Sequence, residues 1–332
     1  MGMASFAAGG RTDVLVIGAG VSGLTTAIRL AEAGLSVRVV SADDPLHTTS
    51  AAAGASWGPY MLNDDRALHW CEVSRLALEE IALDHLSGVR LVSGLEAAAE
   101  PTEPPTWAVG VRDFRQCEAH ELPGGYVSGW WYTIPLVDMP RYLRYLTRRL
   151  ARTGTSVEIG VVRSFAEVAA AARVLVNCSG LGARTLVPDE GVYPKRGQVV
   201  VVNNPGIETF FQDTAESDDL TYYLPHGDHV VLGGSAVEGT SLLPDPDRAA
   251  AIVDRCVAVE PLLAGAEIIG HRVGLRPWRP EVRVERDAVD GVPLIHNYGH
   301  GGSGVTLSWG CADEVLALTE LAPADHNRPR WT

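Results

Sequence analysis

The residues best placed to do chemistry in this 332-residue chain are glycines, hydroxyl residues and a single arginine rather than an acid–base pair. "GAGVSG" sets Gly18, Gly20 and Gly23 at the G-x-G-x-x-G spacing, and "NYGHGGSGVT" places a second glycine-rich turn far along the chain. In the first, Gly18 would make the tight turn, Gly20 would let the backbone approach a pyrophosphate, and Gly23 would permit close helix packing. Val21 and Ser22 then open a helix whose N-terminus carries partial positive charge, which favours phosphate. The second turn also opens a helix, at Gly304 or Val305. The N–H groups of Gly301, Gly302 and Ser303 and the hydroxyl of Thr306 could meet the polar edge of a planar ring lying close to the backbone. A flavin has such an edge, and its reduction places negative charge there, so the pattern points to two-electron redox chemistry with FAD preferred over NAD.

These turns need rigid elements to hold them. "DVLVI" is a short β-branched strand that runs straight into Gly18, and "VSGLTTAIRLAEAG" has helical apolar spacing closed by Gly34. The strand "SVRVVSAD" follows and ends at Asp43, which is either the ligand of the ribose hydroxyls or a solvated turn carboxylate beside Asp44. The stretch "PLHTTSAAAGASWGPYM" is too poor in bulk for a core and either lines a cofactor or turns a corner. "DMPRYLRYLTRRLARTG" reads as an amphipathic helix, "ARVLVNCSGLGA" as a strand returning to the first sheet, and 198–234 as short strands alternating with turns. The expected class is α/β: a Rossmann-like nucleotide-binding domain (1–66, 140–195 and 268–332) interleaved with a mainly antiparallel β-sheet domain (67–139 and 196–267) that carries the substrate. The interface between the two should hold the site.

Composition excludes several classes. A net charge of −14 with no clustered cations argues against nucleic-acid or anionic-membrane partners. The five cysteines are an odd number without close pairing, as expected of reduced thiols in a cytoplasmic enzyme; Cys178 and Cys311 are expected in the core. No apolar run approaches a membrane span, the first ten residues carry no cationic start, and the closing "RWT" is no peroxisomal address, so a soluble cytoplasmic protein is expected.

Among charged residues, Arg276 in "GLRPWRP" is flanked by Leu275 and Pro277, and its planar guanidinium could grip a carboxylate through two parallel hydrogen bonds. Most arginines are surface residues, so the position alone does not settle its role. Tyr222 and Tyr223 are adjacent in an expected strand, so only one can face a pocket. His226 and His229 lie in "PHGDH", where a solvated hairpin turn is a better reading than a metal site with no third ligand.

Taken in order, "VLVIGAGVSGL", "TTSAAAGASWGPY", "VLVNCSG", "YPKRGQ", "YYLP", "GLRPWRPEVRVERD" and "LIHNYGHGGSGVTLSWGCA" resemble the D-amino-acid oxidase family over nearly the whole chain. The resemblance implies that the first glycine motif holds the FAD pyrophosphate and the second the flavin ring. The cofactor set then comprises Gly18, Gly20, Val21, Ser22, Gly23 and Asp43, then Thr48, Thr49, Ser50, Gly54, Ala55 and Ser56 of the small-residue loop. Val162, Ser179 and Gly180 extend it, followed by Gly301, Gly302, Ser303, Gly304, Val305 and Thr306. It implies that Arg276 and Tyr222 bind the substrate carboxylate beside Gly302, with Tyr223 as packing and Arg279 as a structural or surface residue.

The reaction implied by the family is hydride transfer from the Cα of a neutral D-amino acid to flavin N5, with O₂ as acceptor and a 2-oxo acid, ammonia and hydrogen peroxide as products. No acid–base side chain is required if the amine reacts in its neutral form. A homodimer is a candidate assembly. Gly58 stands where animal members have a glutamine, Ala236 where fungal members have a pocket tyrosine, and "QDTAESDDLT" is shorter than the animal lid and lacks a tyrosine. A dehydrogenase using another acceptor and a silent flavin-binding sensor are the alternatives.

Overall fold

A computed structural model describes residues 10–59, 65–214 and 217–321. Tyr60 of "SWGPY", Ala215 and Glu216 of the short segment, the first nine residues and the closing "RWT" lie outside the described residues.

The strands are β1 (Thr12–Ile17), β2 (Val37–Ser41), β3 (Val89–Ala98), β4 (Arg115–Gln116), β5 (Ser128–Val137), β6 (Val157–Ile159) and β7 (Ala172–Asn177). They continue with β8 (Tyr193–Asn203), β9 (Phe210–Asp213), β10 (Asp219–Pro225), β11 (His229–Ser235), β12 (Val237–Glu238), β13 (Ile268–Val289) and β14 (Val292–His300). The helices are α1 (Val21–Glu32), α2 (Asp65–Ile81), α3 (Met139–Ala151), α4 (Ala183–Leu186), α5 (Pro246–Val259) and α6 (Gly304–Leu318).

One part of the sheet is a parallel run, β6-β2-β1-β7-β14. Its central strand, β1, is apolar and buried from Val14 to Ile17 because both faces are covered there. Val14 and Val16 of β1 pack toward α1, α2, α3 and α6, while Leu15 and Ile17 pack the opposite way against Val162, Phe165 and Val168. Helix α6 is buried along most of its length between α1 and α2, and Gly310 permits this: a β-carbon there would lie 2.3 Å from the Trp70 backbone. Cys178 and Cys311 are both core residues, as expected.

The other part is mostly antiparallel, in the order β5-β3-β9-β10-β11-β8-β13, with β3 and β9 the parallel pair. Period-two alternation divides its side chains cleanly. Val200, Val202, Phe211, Tyr223 and Leu232 point back to a core closed by Ile252 and Cys256 of α5. Gly197, Val199, Gln212, Tyr222 and Leu224 point forward and line a cavity. Strand β13 joins the two parts: it pairs with β8 as far as Trp278, meets β14 at the same residue, and after a register shift pairs with β14 alone from Arg283 onward.

Candidate active site

The cavity has a volume of about 1690 Å³ and is walled by the front of the antiparallel sheet, both glycine-rich turns and the 48–56 loop. It exceeds the roughly 300–1,000 Å³ usual for a small-molecule site, so it can hold a large ligand and a small one together. At its β1 end, Gly18 has φ of 108°, a left-handed conformation open to glycine, and a β-carbon there would sit 2.3 Å from the Cys178 carbonyl oxygen. Gly20 faces Ser50, whose Oγ accepts a 3.0 Å hydrogen bond from the Val21 amide and so satisfies one open N–H of α1. Gly20, Val21 and Ser22 line the cavity. Gly23 does not: its α-carbon packs on the Gly18 carbonyl, where a β-carbon would come within 2.0 Å, so it acts through helix–turn packing rather than at the wall.

Asp43 is exposed at the cavity edge, whereas its neighbour Asp44 is occupied locally, accepting from the Leu46 amide at 2.9 Å. Thr48, Thr49, Ser50, Gly54, Ala55 and Ser56 all reach the wall, and the Thr49 hydroxyl ties the loop to β13 through the Leu275 carbonyl at 3.2 Å. Val162, Ser179 and Gly180 line the opposite side, and the buried Ser179 hydroxyl has no partner among the described residues.

The second glycine-rich turn stands directly beside the first. His300 Nδ1 lies 3.4 Å from Ser22 Oγ, and the Thr25 hydroxyl of α1 donates to the Ser308 carbonyl of α6 at 3.1 Å. Both helices therefore begin at the same cavity, and Gly301, Gly302, Ser303, Gly304, Val305 and Thr306 all line it. Burial lowers the His300 pKa to about 4, so the ring is neutral near pH 7, and its buried Nε2 has no partner among the described residues.

The sheet supplies the other wall. Arg276 on β13 extends over Gly197 of β8 and donates from one terminal nitrogen to the Ser235 carbonyl at 2.7 Å. Among the described residues it pairs with no carboxylate. Arg279 differs: its Nε meets Asp189 at 3.1 Å and a terminal nitrogen donates to the Glu281 carbonyl at 2.7 Å. Tyr222 lines the cavity with its ring against Gly233 and Gly54, and burial raises its pKa, opposed by the nearby Arg276 charge. Tyr223 stacks on Phe211 at 5.7 Å in the rear core.

Ala236 and Gly58 both line the cavity; a β-carbon on Gly58 would meet open space, and the Gly58 carbonyl accepts from Thr306 Oγ1 at 3.2 Å. The expectation of a solvated "PHGDH" turn is corrected. His226 and His229 are buried, 3% and 9% exposed, because the hairpin folds against the 48–56 loop and α3. His226 Nε2 donates to the Gly54 carbonyl at 3.3 Å, and His229 Nδ1 meets Asp228 at 2.7 Å.

Gly197, Gln212 and Glu96 are among the wall residues not expected from the sequence. A signal existed for the last, since Glu96 is the one charged residue in "LVSGLEAAA". Burial holds its carboxyl above the usual range, opposed by hydrogen bonds from Tyr132 and Gln212.

Adjoining helix N-termini, glycines that bring backbone to the wall and an unpartnered serine and histidine fit a dinucleotide with a polar ring edge. The chain matches the FAD-dependent oxidoreductase family model over residues 13–318. It is 47% identical to a D-amino-acid oxidase of Rubrobacter xylanophilus over 313 residues, covering 93% of this chain and 96% of that protein. It is 45% identical to a D-amino-acid oxidase of Streptomyces coelicolor over 312 residues, covering 92% and 96%. The solved glycine oxidase of Geobacillus kaustophilus shares the fold, with a TM-score of 0.79 at 20% identity over 94% of this chain and 95% of that one. FAD is the cofactor, and the chain belongs to the FAD-dependent oxidoreductase family in which these D-amino-acid oxidases are found.

Proposed function

We propose that this protein is a D-amino-acid oxidase that converts D-amino acids and O₂ to 2-oxo acids, ammonia and hydrogen peroxide. The observation that carries this reading is Arg276, a guanidinium inside the cavity held by one backbone carbonyl and paired with no carboxylate among the described residues, while Arg279 and Arg283 beside it share Asp189. A cation so placed calls for an anionic ligand group, and the planar fork suits an α-carboxylate.

In this reading Arg276 and the Tyr222 hydroxyl fix the substrate carboxylate, and Gly302, whose added β-carbon would lie 3.7 Å from Arg276 Cδ, leaves room for the amino group against the backbone. The first glycine turn and the 301–306 wall would hold FAD, which would supply a two-electron acceptor for the hydride at the substrate Cα. The chain's own contribution is to orient the substrate, exclude water and place the positive end of α6 at the 301–306 wall. No side chain has to remove a proton from the amine, which reacts in its neutral form. The two sequence-based domains, 1–66 with 140–195 and 268–332, and 67–139 with 196–267, are part of the proposal; the change of β13 from one partner strand to the other supports a joint in that strand.

Cytoplasmic location and a homodimer are also proposed. Five unpaired cysteines suit a reducing compartment, and Leu83 and Leu86, 79% and 77% exposed, offer apolar surface for self-association. Among the described residues no helix is long and apolar enough to cross a membrane.

D-alanine added anaerobically should bleach the yellow protein, and air should restore the colour with release of peroxide. Failure of every D-amino acid in a panel to bleach it would refute the reading.

A further inference from the structure

Three residues of the front wall stand in one row across three strands. Glu96 of β3 is in register with Gln212 of β9, and Gln212 with Tyr222 of β10. Register partners share a face, and all three line the cavity. A hydrogen-bonded chain crosses the row: Tyr132 donates to Glu96 Oε2 at 2.5 Å, Gln212 donates to the Tyr132 hydroxyl at 3.0 Å, and Ser56 donates to Gln212 Oε1 at 3.4 Å. Beyond Tyr222 the wall continues to the Arg276 guanidinium at Ser235. The wall thus runs from a cation at one end to a carboxyl at the other.

We propose that Glu96 reads the far end of the substrate side chain and selects D-amino acids whose side chain is long and ends in a cationic hydrogen-bond donor. This rests on the oxidase reading above and widens it beyond the neutral side chains expected from the sequence. With the α-carboxylate on Arg276 and Tyr222, the side chain extends along the row toward Gln212. Two strand spacings, about 10 Å, separate the Tyr222 and Glu96 backbones. The side chain of Glu96 spans part of that gap, and a side chain of lysine or arginine length spans the rest. A short side chain stops at Gln212.

The chemistry favours a cation. Glu96 is 8% exposed, and its hydrogen bonds come from neutral groups, Tyr132 and Gln212, with no cation paired to it among the described residues. Burial opposes its ionisation. An arriving ammonium or guanidinium supplies the missing counter-charge and a charge-assisted hydrogen bond. An acidic side chain meets a carboxyl that cannot neutralise it. Glu96 also ties β3 to β5 through Tyr132, so the test must separate selection from support.

The experiment compares kcat/KM for D-lysine and D-norleucine, side chains of matched length, in the FAD-loaded enzyme. The wild type should favour D-lysine, and Glu96→Gln should lower the D-lysine to D-norleucine ratio at least tenfold. The glutamine amide oxygen can still accept from Tyr132, so flavin content and Tm should hold. An unchanged ratio in Glu96→Gln overturns the proposal. So does a wild type that oxidises D-norleucine better than D-lysine, a result that needs no variant. D-alanine bleaching is measured alongside: if it fails, the oxidase reading falls; if it succeeds while the ratio does not respond, only the role of Glu96 falls.

Discussion

Arg276 lies across Gly197, with one terminal nitrogen 2.7 Å from the Ser235 carbonyl oxygen. The position of the guanidinium is therefore set by the backbones of two neighbouring strands, β8 and β11, rather than by an acidic partner. A β-carbon on residue 197 would sit 2.4 Å from one terminal nitrogen and 2.7 Å from the other, so nothing larger than glycine leaves that path open.

Gly197→Ala should consequently displace the guanidinium while leaving the strand paired. A misplaced clamp costs substrate alignment, and kcat/KM for D-alanine should fall by about ten- to a hundredfold. Steady-state kinetics with flavin content as control checks this. Wild-type kinetics in Gly197→Ala would remove Arg276 from the clamp.

Arg276→Lys keeps the charge and loses the fork. A charge-assisted hydrogen bond is worth roughly 1.5–3 kcal/mol, about ten- to a hundredfold in kcat/KM, so KM should rise and anaerobic flavin reduction should slow. Arg279→Lys, made in parallel, loosens the tie to Asp189 and should cost about 1 kcal/mol of stability or less with near-normal kinetics. The reverse ranking would place the clamp on Arg279.

Gly20→Val should abolish FAD retention. An added β-carbon lies 3.0 Å from Ser50 Oγ, the group that holds the Val21 amide, and the larger side chain also fills the approach to the α1 N-terminus. The antiparallel part should still fold, giving a colourless protein with most of its β-sheet circular-dichroism signal. Normal flavin occupancy would contradict the assignment of the first turn.

Stability should fall as pH drops below about 6.5. Burial first, then His229 and the nearby arginines, lowers the His226 pKa to about 3. A folded-state pKa depressed below the unfolded value of a histidine means that the unfolded chain binds the proton first. The His226 contribution is full above the unfolded pKa and is lost progressively from about pH 6.5 toward pH 3. At pH 5.5 the loss from this one residue is roughly 1.4 kcal/mol, about 2 °C or more in Tm. Melting curves at pH 7.5 and 5.5 should therefore converge partly in His226→Gln, which retains a donor for Gly54. An equally large pH shift in that variant would exclude His226 as a source.

Much of the architecture was legible because its causes are local. Strand, Gly18 turn and α1 follow one another within about thirty residues, and the alternation that divides Tyr222 from Tyr223 is a property of any strand. Arg276 is legible through its rigid, proline-flanked setting. The row of Glu96, Gln212 and Tyr222 was not legible, since its members are joined only by strand register between segments distant in the chain. The burial of the histidine turn is not legible for the same reason: "PHGDH" reads as polar hairpin chemistry, and its burial comes from Gly54 and Asp138, neither of them near in sequence.

The adjacency of Ser22 and His300 also bears on how the protein is made. At about 5–20 residues per second, synthesis separates the two glycine-rich turns by roughly half a minute. Through that interval the first turn has emerged without the helix that completes its binding site, and β14, which must lie beside β7, is still missing from the sheet. FAD capture is therefore a late event, following closure of contacts between the earliest and the latest parts of the chain. Cofactor supply should govern how much of the finished protein survives, more than how fast its first strands and helix take shape.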